Sequence, residues 1–255
     1  MKSKYEITRD ENHAYTVKCG DVVVTLPGVT GILDIVGSKD KVNRLMGWAK
    51  KQCLLKVADH MRAFITKPVT IDEAWIEACR KSAWKRDKEV LKAAGDLGTA
   101  VHAAIDAFIL GQEPVLDDTT RPGYENFLFW IKTSGINLVR GDSYVASLRL
   151  KYGGAADAIG EKNGKLILLD WKTSNYLSDT NALQAAAYSV AFEETFGEKI
   201  ETAYVVRFGK ETPGDIEPKE VYLPAAKKAW YSALDLHEAM TGPIWRIEGE
   251  MKDGH

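Results

Sequence analysis

Two aspartates and one lysine close runs of the sequence that are otherwise apolar or glycine-rich. Asp157 ends the segment Tyr152-Gly-Gly-Ala-Ala-Asp157, and Asp170 follows the apolar run Leu166-Ile-Leu-Leu169. Lys172 comes two residues after Asp170, a spacing that puts both side chains on one face of a strand. Carboxylates at the edge of an apolar core are costly unless they are paired. We therefore expect Asp157 and Asp170, on neighbouring strands, to share a divalent cation.

Such a site suits Mg²⁺ or Mn²⁺, because both ions take oxygen ligands. The carbonyl of Trp171 lies beside the two carboxylates and offers a further oxygen. The ammonium group of Lys172 is placed to stabilise an attacking hydroxide or a phosphoryl transition state. The alternative is that Asp170 and Lys172 form a surface ion pair that takes no part in chemistry.

Three further residues have side chains that suit the same site. Gln184 and Tyr188 are four residues apart in Leu183-Gln-Ala-Ala-Ala-Tyr188, so they share one face of a predicted helix. The alanines between them allow that helix to approach a sheet closely. His102 shares a predicted helix face with Asp106, and an imidazole in an acid-rich site favours Mn²⁺ alongside Mg²⁺. The alternative for all three is an ordinary structural role in the core or at a helix end.

The surrounding sequence predicts the elements that position these residues. Short alternating runs up to Leu26 predict an N-terminal β-meander, and apolar periodicity predicts a long helix over residues 40–64, ended by Pro68. We expect Gly95 and Gly98 to interrupt the helical pattern before a separate helix over residues 99–110. The pattern between residues 139 and 170 is typical of strands. It predicts turns at Tyr152-Gly-Gly154 and at Glu161-Lys-Asn-Gly164, the latter a hairpin turn.

The remaining segments continue the alternation of helix and strand. A helix is predicted from Asp179 to about Thr195, strands over residues 199–208 and near Val221, and a final helix from Pro224 to about Met240. Helices, a run of strands, a helix and further strands in this order predict an α/β protein with a mixed central sheet flanked by helices.

Composition limits the class of protein. The chain has 255 residues, 45% of them hydrophobic, and a formal net charge of −2. The length suits one large domain or one domain with an added lobe, and the charge does not suit a protein that coats nucleic acid nonspecifically. A nuclease with a local basic groove is still allowed. The three cysteines lack CxxC spacing, which predicts a reducing compartment and no iron–sulfur cluster. No segment resembles a signal peptide or a membrane span, so we expect a cytoplasmic protein without a membrane partner.

Four motifs, in this order, resemble those of the PD-(D/E)XK nuclease superfamily, and within it the RecB-like exonuclease branch that includes phage exonucleases and the mitochondrial genome maintenance exonuclease. The motifs are Gly98-Thr-Ala-Val-His102, Gly154-Ala-Ala-Asp157, Asp170-Trp-Lys-Thr-Ser174 and Gln184-Ala-Ala-Ala-Tyr188. The resemblance covers about residues 25–195. Ala156 departs from the proline in the superfamily name, and the cysteine set departs from that of cluster-bearing relatives.

The resemblance implies a metal-dependent DNA exonuclease of phage type that acts in DNA recombination, repair or degradation, with single-stranded ends as substrates. In a phage-encoded protein the location would be the host cytoplasm. The metal ligands it implies are His102, Asp157, Asp170 and the Trp171 carbonyl. The catalytic residues it implies are Asp157, Asp170, Lys172, Gln184 and Tyr188. Asp142 corresponds to an upstream acid that is often glutamate in this branch.

The resemblance also implies a restriction-endonuclease-like core over residues 95–255. The N-terminal meander and a helical arch or wall, residues 1–94, precede this core within a single nuclease domain of residues 1–255. Basic residues and tryptophans in the helical part suit contacts with a DNA backbone and stacking on bases. The predicted DNA contacts are Lys50, Lys51, Arg80, Lys81, Lys85, Arg86, Trp48 and Tyr188. The alternative is that the charges are solvated and the tryptophans belong to the core.

Two other functions stay open at this stage. One is a structure-specific or nonspecific endonuclease of the same superfamily, and the other is a non-catalytic DNA-binding module that acts as a recombination partner. For the exonuclease, the expected partners are DNA ends and a recombination or single-strand-binding protein.

Overall fold

The structure is a computed structural model that describes residues 2–11, 13–36, 39–66, 70–210 and 212–241. The chain forms two compact units, one of residues 1–36 with 102–255 and the other of residues 37–101. The single nuclease domain of residues 1–255 with a division at residue 95 stays a prediction. Pro68, expected to end the first long helix, lies outside the described residues.

The larger unit begins with the expected β-meander. Strands β1 (Glu6–Arg9), β2 (Tyr15–Cys19) and β3 (Val22–Leu26) form an antiparallel sheet in that order. A short helix α1 (Val29–Leu33) and a 3₁₀ turn follow. The buried side chains of Tyr15, Val17 and Leu26 pack with Ala146 of the larger sheet, so the meander is part of the same compact unit.

The central sheet is mixed, as predicted. Its five strands are ordered β4 to β8, and only β6 and β7 run parallel. The strands are β4 (Asn137–Ser147), β5 (Tyr152–Lys162), β6 (Lys165–Lys172), β7 (Thr202–Phe208) and β8 (Ile216–Glu220). The predicted hairpin turn joins β5 to β6 through Asn163 at φ 54° and Gly164 at φ 72°, the left-handed pair that an Asn-Gly turn supplies.

The turn expected at Tyr152-Gly-Gly154 is wrong, because these three residues lie within β5. The chain reverses before them, with Lys151 at φ 57°. The glycines serve close packing instead: a Cβ on Gly153 would lie 2.5 Å from Cγ of Tyr15. Glycine within a strand often marks a close approach of this kind.

Helices pack against the sheet and bury its apolar residues. Helix α5 (Asp179–Phe196) begins with a capping box formed by Ser178 and Asn181, which satisfies backbone N–H groups of its first turn. Three consecutive buried alanines, residues 185–187, form one core with sheet residues such as Leu168. Small side chains there permit the close approach that the sequence predicted. The C-terminal helix α6 (Leu223–Thr241) adds Trp230 to this core.

A second cluster of the core is aromatic. Helix α4 (Arg121–Ser134) contributes Phe127 and Trp130, which make edge-to-face contacts with Trp171 of β6 at centroid distances of 5.6 and 5.8 Å. Phe208 of β7 joins the cluster. Rings in this geometry stabilise by burial and by favourable edge-to-face electrostatics. Trp171, between Asp170 and Lys172, therefore anchors the strand that carries both.

The smaller unit contains helix α2 (Lys39–Thr66) and the first part of helix α3 (Glu73–Ile109). A hydrogen bond of 2.6 Å between His60 Nε2 and Ser82 Oγ joins the two helices. The interruption expected at Gly95 and Gly98 is wrong, because α3 is continuous through both. A helical glycine costs only about 1 kcal/mol relative to alanine, and the surrounding helix formers and the Lys92–Asp96 ion pair at 2.8 Å offset that cost.

None of the helices in the described ranges is both long enough and apolar enough to cross a membrane.

Candidate active site

Asp157 and Asp170 lie where strands β5 and β6 cease to pair with each other. The ladder between the strands ends at Ala158 and Leu169. One residue further on, Oδ2 of Asp157 accepts a 2.7 Å hydrogen bond from the backbone N–H of Trp171. A carboxylate therefore replaces the ladder bond, and the two acids face the opening between the strands.

Asp170 and Lys172 form an ion pair inside the protein. Nζ of Lys172 lies 2.5 Å from Oδ2 of Asp170, and their side chains are 20% and 1% exposed. The predicted placement on one face is confirmed, and the alternative of a surface pair is wrong. Burial raises the pKa of Asp170 to about 6, against the opposing charge of Lys172. Burial lowers the pKa of Lys172, but the charges of Asp170 and Asp157 outweigh it and raise that pKa overall.

His102 reaches the same site from helix α3. Its Nδ1 lies 3.4 Å from Oδ1 of Asp157. Burial lowers the pKa of His102, but the hydrogen bond and the charge of Asp157 prevail and raise it above its ordinary value. Burial likewise raises the pKa of Asp157, yet the hydrogen bond and charge of His102, with Lys172 and the Trp171 N–H, bring it below the ordinary value. Each group therefore shifts the pKa of the other toward the charged form.

Gln184 and Tyr188 meet on one face of α5, as their spacing predicted. Nε2 of Gln184 donates a 2.7 Å hydrogen bond to the hydroxyl of Tyr188, whose side chain is buried. Burial, followed by the charges of Asp170 and Asp157, raises the pKa of Tyr188 well above its ordinary value. Because Gln184 donates to the phenol oxygen, the hydroxyl proton of Tyr188 stays available to an acceptor.

Two further acids, to which the sequence assigned no catalytic or metal-binding role, belong to the electrostatic surroundings of the site. Burial, then the charges of Asp142 and Asp157, raises the pKa of Asp106 to about 6. Burial, then Asp157, raises the pKa of Asp142. Asp106 follows His102 by one helical turn, the spacing that put both residues on one predicted helix face. Asp142 of β4 lies opposite Asp157 of β5, because the residues on either side of Asp142 pair with those on either side of Asp157.

The donor atoms fit an oxygen-seeking divalent cation in chemical type. Oδ2 of Asp170 is buried, and its partner among the described residues is the Lys172 ammonium. Carboxylate oxygens with one imidazole suit Mg²⁺ or Mn²⁺. The carboxylate of Asp157 contacts Nδ1 of His102 and accepts a hydrogen bond from the Trp171 N–H. Within the described ranges, no three His, Cys, Asp or Glu side chains stand in a ligating group. The Trp171 carbonyl as a ligand stays a prediction.

The helical residues predicted to contact DNA all belong to the smaller unit. They are Trp48, Lys50, Lys51, Arg80, Lys81, Lys85 and Arg86. Trp48 and Arg86 are half-buried and the other basic members are exposed. Arg80 donates two hydrogen bonds to Glu77, at 2.7 and 2.8 Å, and Lys81 lies 3.5 Å from the same carboxylate. Glu77 therefore neutralises part of the positive charge on that helix face. Contact of these residues with DNA stays a prediction.

No protein-family model and no curated protein matches the sequence. Among solved structures, SSO0001 is similar at 16% identity, covering 79% of this chain and 89% of that chain, with a TM-score of 0.32. The alkaline exonuclease LHK-Exo from Laribacter hongkongensis is similar at 11% identity, covering 55% and 81%, with a TM-score of 0.27. LHK-Exo in complex with dAMP is similar at 12% identity, covering 72% and 84%, with a TM-score of 0.33. The case for a function therefore rests on the side chains of the chain itself.

Proposed function

We propose that the chain is a metal-dependent deoxyribonuclease that hydrolyses phosphodiester bonds from DNA ends. The observation that carries the proposal is the convergence of Asp157, Asp170 and Lys172 at the point where β5 and β6 part. Lys172 is in contact with Asp170, and the charge of Asp157 acts on both. Burying such a group of charges reduces the stability of the folded protein. Such clusters are concentrated at functional sites.

The proposed ligands of the metal are His102, Asp157, Asp170 and the carbonyl of Trp171. Bound there, Mg²⁺ or Mn²⁺ would act as a Lewis acid toward the phosphate and lower the pKa of an attacking water. Asp157 suits this role because its pKa lies below the ordinary value, so it is ionised at neutral pH.

Lys172 and Tyr188 have complementary roles in this proposal. Lys172 keeps its proton at neutral pH, since its pKa is raised by Asp170 and Asp157, so it offers positive charge to a water nucleophile or to a phosphate oxygen. Tyr188 also keeps its proton, and its hydroxyl accepts from Gln184. It is therefore a donor toward the DNA backbone, oriented by Gln184.

The test uses end-labelled single-stranded, duplex and covalently closed circular DNA, each incubated with Mg²⁺ or Mn²⁺. We expect the wild type to degrade the linear substrates and Lys172→Ala to lose that activity. Degradation of closed circles would favour the endonuclease alternative, since an exonuclease requires an end. The absence of cleavage by the wild type with both metals would contradict the nuclease proposal.

Asp170→Ala separates an enzyme from a DNA-binding recombination partner. In an enzyme the substitution abolishes cleavage and leaves DNA binding measurable. In a binding module the wild type itself cuts nothing, although it retains DNA. We propose a phage-type enzyme that acts in DNA recombination, repair or degradation, with a recombination or single-strand-binding protein as partner.

A further inference from the structure

An open apolar groove lies between helices α2 and α3 within the smaller unit. Its volume is about 780 Å³, and its walls include Met46, Leu54, Ala83 and Trp84. Small-ligand sites commonly have volumes of about 300–1,000 Å³. The groove lies entirely within residues 37–101 and is separate from the residues of the candidate active site.

Trp84 is the exposed aromatic residue of this groove. Its side chain is 76% exposed, and the neighbouring Leu54 is 69% exposed. An indole left in water on a helix surface loses the burial that normally stabilises it, and exposed apolar patches mark binding surfaces. A flat ligand that stacks on Trp84 would recover that burial.

The surplus of positive charge in the smaller unit favours an anionic ligand. Residues 37–101 contain 14 lysines and arginines against 8 aspartates and glutamates, whereas the rest of the chain contains 20 against 28. Lys50 and Lys88 line the groove, together with Asp87. Neither lysine side chain forms an ion pair with any part of the chain that the structure describes. Positive charge is therefore available beside an apolar, aromatic wall.

We propose that this groove binds a single-stranded DNA segment, with a base stacked on Trp84 and the adjoining phosphates near Lys50 and Lys88. Stacked bases with a sequence-independent basic track are how proteins retain single strands. In a duplex the faces of the bases are already stacked on one another, so Trp84 would gain nothing there. The inference rests on the proposed function and makes it more specific: the DNA held by the smaller unit is single-stranded.

The test is the binding of a fluorescent oligo(dT) to the full chain in EDTA, measured by anisotropy, so that no cleavage takes place. Loss of one stacked base costs about 1–3 kcal/mol, so we expect Trp84→Ala to weaken binding roughly 5- to 150-fold. Trp84→Phe should retain most of the affinity. Ile65→Ala is the matched control, because Ile65 is 84% exposed on the same unit and does not line the groove; its affinity should equal that of the wild type.

An abasic oligonucleotide of equal length isolates the stacking. We expect Trp84→Ala and the wild type to bind it equally, and to bind duplex DNA equally. Lys50→Glu should weaken binding of every oligonucleotide and reduce its dependence on salt.

Unchanged affinity of Trp84→Ala for oligo(dT) would overturn the inference. So would an equal loss with the abasic strand. If Trp84→Ala instead shifts the sedimentation of the protein alone from dimer to monomer, the occupant of the groove is a second copy and the DNA proposal is wrong. Because the binding test involves no metal, it can fail while cleavage is present, or succeed while cleavage is absent, so the two proposals are distinguished.

Discussion

The ring of Tyr188 packs directly against the backbone of Gly154. A Cβ on Gly154 would lie 2.4 Å from Cε1 of Tyr188 and 2.7 Å from its Cδ1. Helix α5 therefore approaches β5 closely because this strand has no side chain at residue 154. The contact places the phenol of Tyr188 beside Asp157 and Asp170, whose charges contribute to its raised pKa.

Gly154→Ala should displace Tyr188 and break its hydrogen bond with Gln184. Overpacking of this kind costs about 1–3 kcal/mol, so we expect the free energy of unfolding to fall by that amount in urea titration. The control is Gly31→Ala, since the corresponding Cβ there meets open space. Equal stability of Gly154→Ala and the wild type would show that Tyr188 moves without cost.

The raised pKa of His102 depends on Asp157. In Asp157→Asn the negative charge is lost, and burial together with the charge of Lys172 outweighs the remaining charge of Asp170. The pKa of His102 should therefore fall below its ordinary value. Proton NMR titration of the histidine ring protons measures this, with His102→Gln to assign the resonance. The stability that the pair contributes is present below about pH 6.5, the pKa of an unfolded histidine. It is lost as pH rises through the folded pKa. A pKa that stays raised in Asp157→Asn would assign the effect to another acid.

Asp106 should make stability depend on pH in the opposite way to a typical surface carboxylate. Its folded pKa of about 6 exceeds the ordinary value of 3.8, so the folded state holds the proton more tightly than the unfolded state. Its contribution to stability is therefore full below about pH 4 and declines as pH rises through 6. We expect Asp106→Asn to gain stability relative to the wild type between pH 4 and pH 7, measured by urea unfolding at each pH. A constant difference across that range would contradict the raised pKa.

Gly95 lies within continuous helix α3, and a Cβ there would meet open space. Gly95→Ala should raise the free energy of unfolding by about 0.5–1 kcal/mol, because alanine reduces the freedom of the unfolded chain without strain in the helix. Gly164→Ala is the contrasting variant. Gly164 has φ +72°, a conformation that costs a residue with a side chain about 1–2 kcal/mol. The free energy of unfolding of Gly164→Ala should therefore fall. A loss of stability in Gly95→Ala would indicate that α3 is broken there after all.

Local patterns predicted most of the elements and the central pairing of the site. The Asn163-Gly164 turn follows from backbone conformations that few residues adopt. The contact of Asp170 with Lys172 follows from the period of a strand, and that of Gln184 with Tyr188 from the period of a helix. These inferences needed only neighbours in the sequence.

Two predictions based on glycine were wrong, the helix interruption at Gly95 and Gly98 and the turn at residues 152–154. The physical reason is the same for both: glycine permits a turn, weakens a helix slightly and allows close packing. At Gly95 and Gly98 the helix formers on either side outweighed a small cost. At Gly153 and Gly154 the deciding contacts are with Tyr15 and Tyr188, which are distant in the sequence.

The amino-acid sequence by itself determined the residue types of the candidate site, their spacing and the alternation of helix and strand. Only the tertiary structure decided that the Asp170–Lys172 pair is buried and that Asp157 joins His102 to the Trp171 backbone. It also decided that Asp142 lies near enough to raise the pKa of Asp106. Burial and the interaction of charges depend on distances between segments far apart in the chain, and those distances arise only when the sheet and its helices pack together.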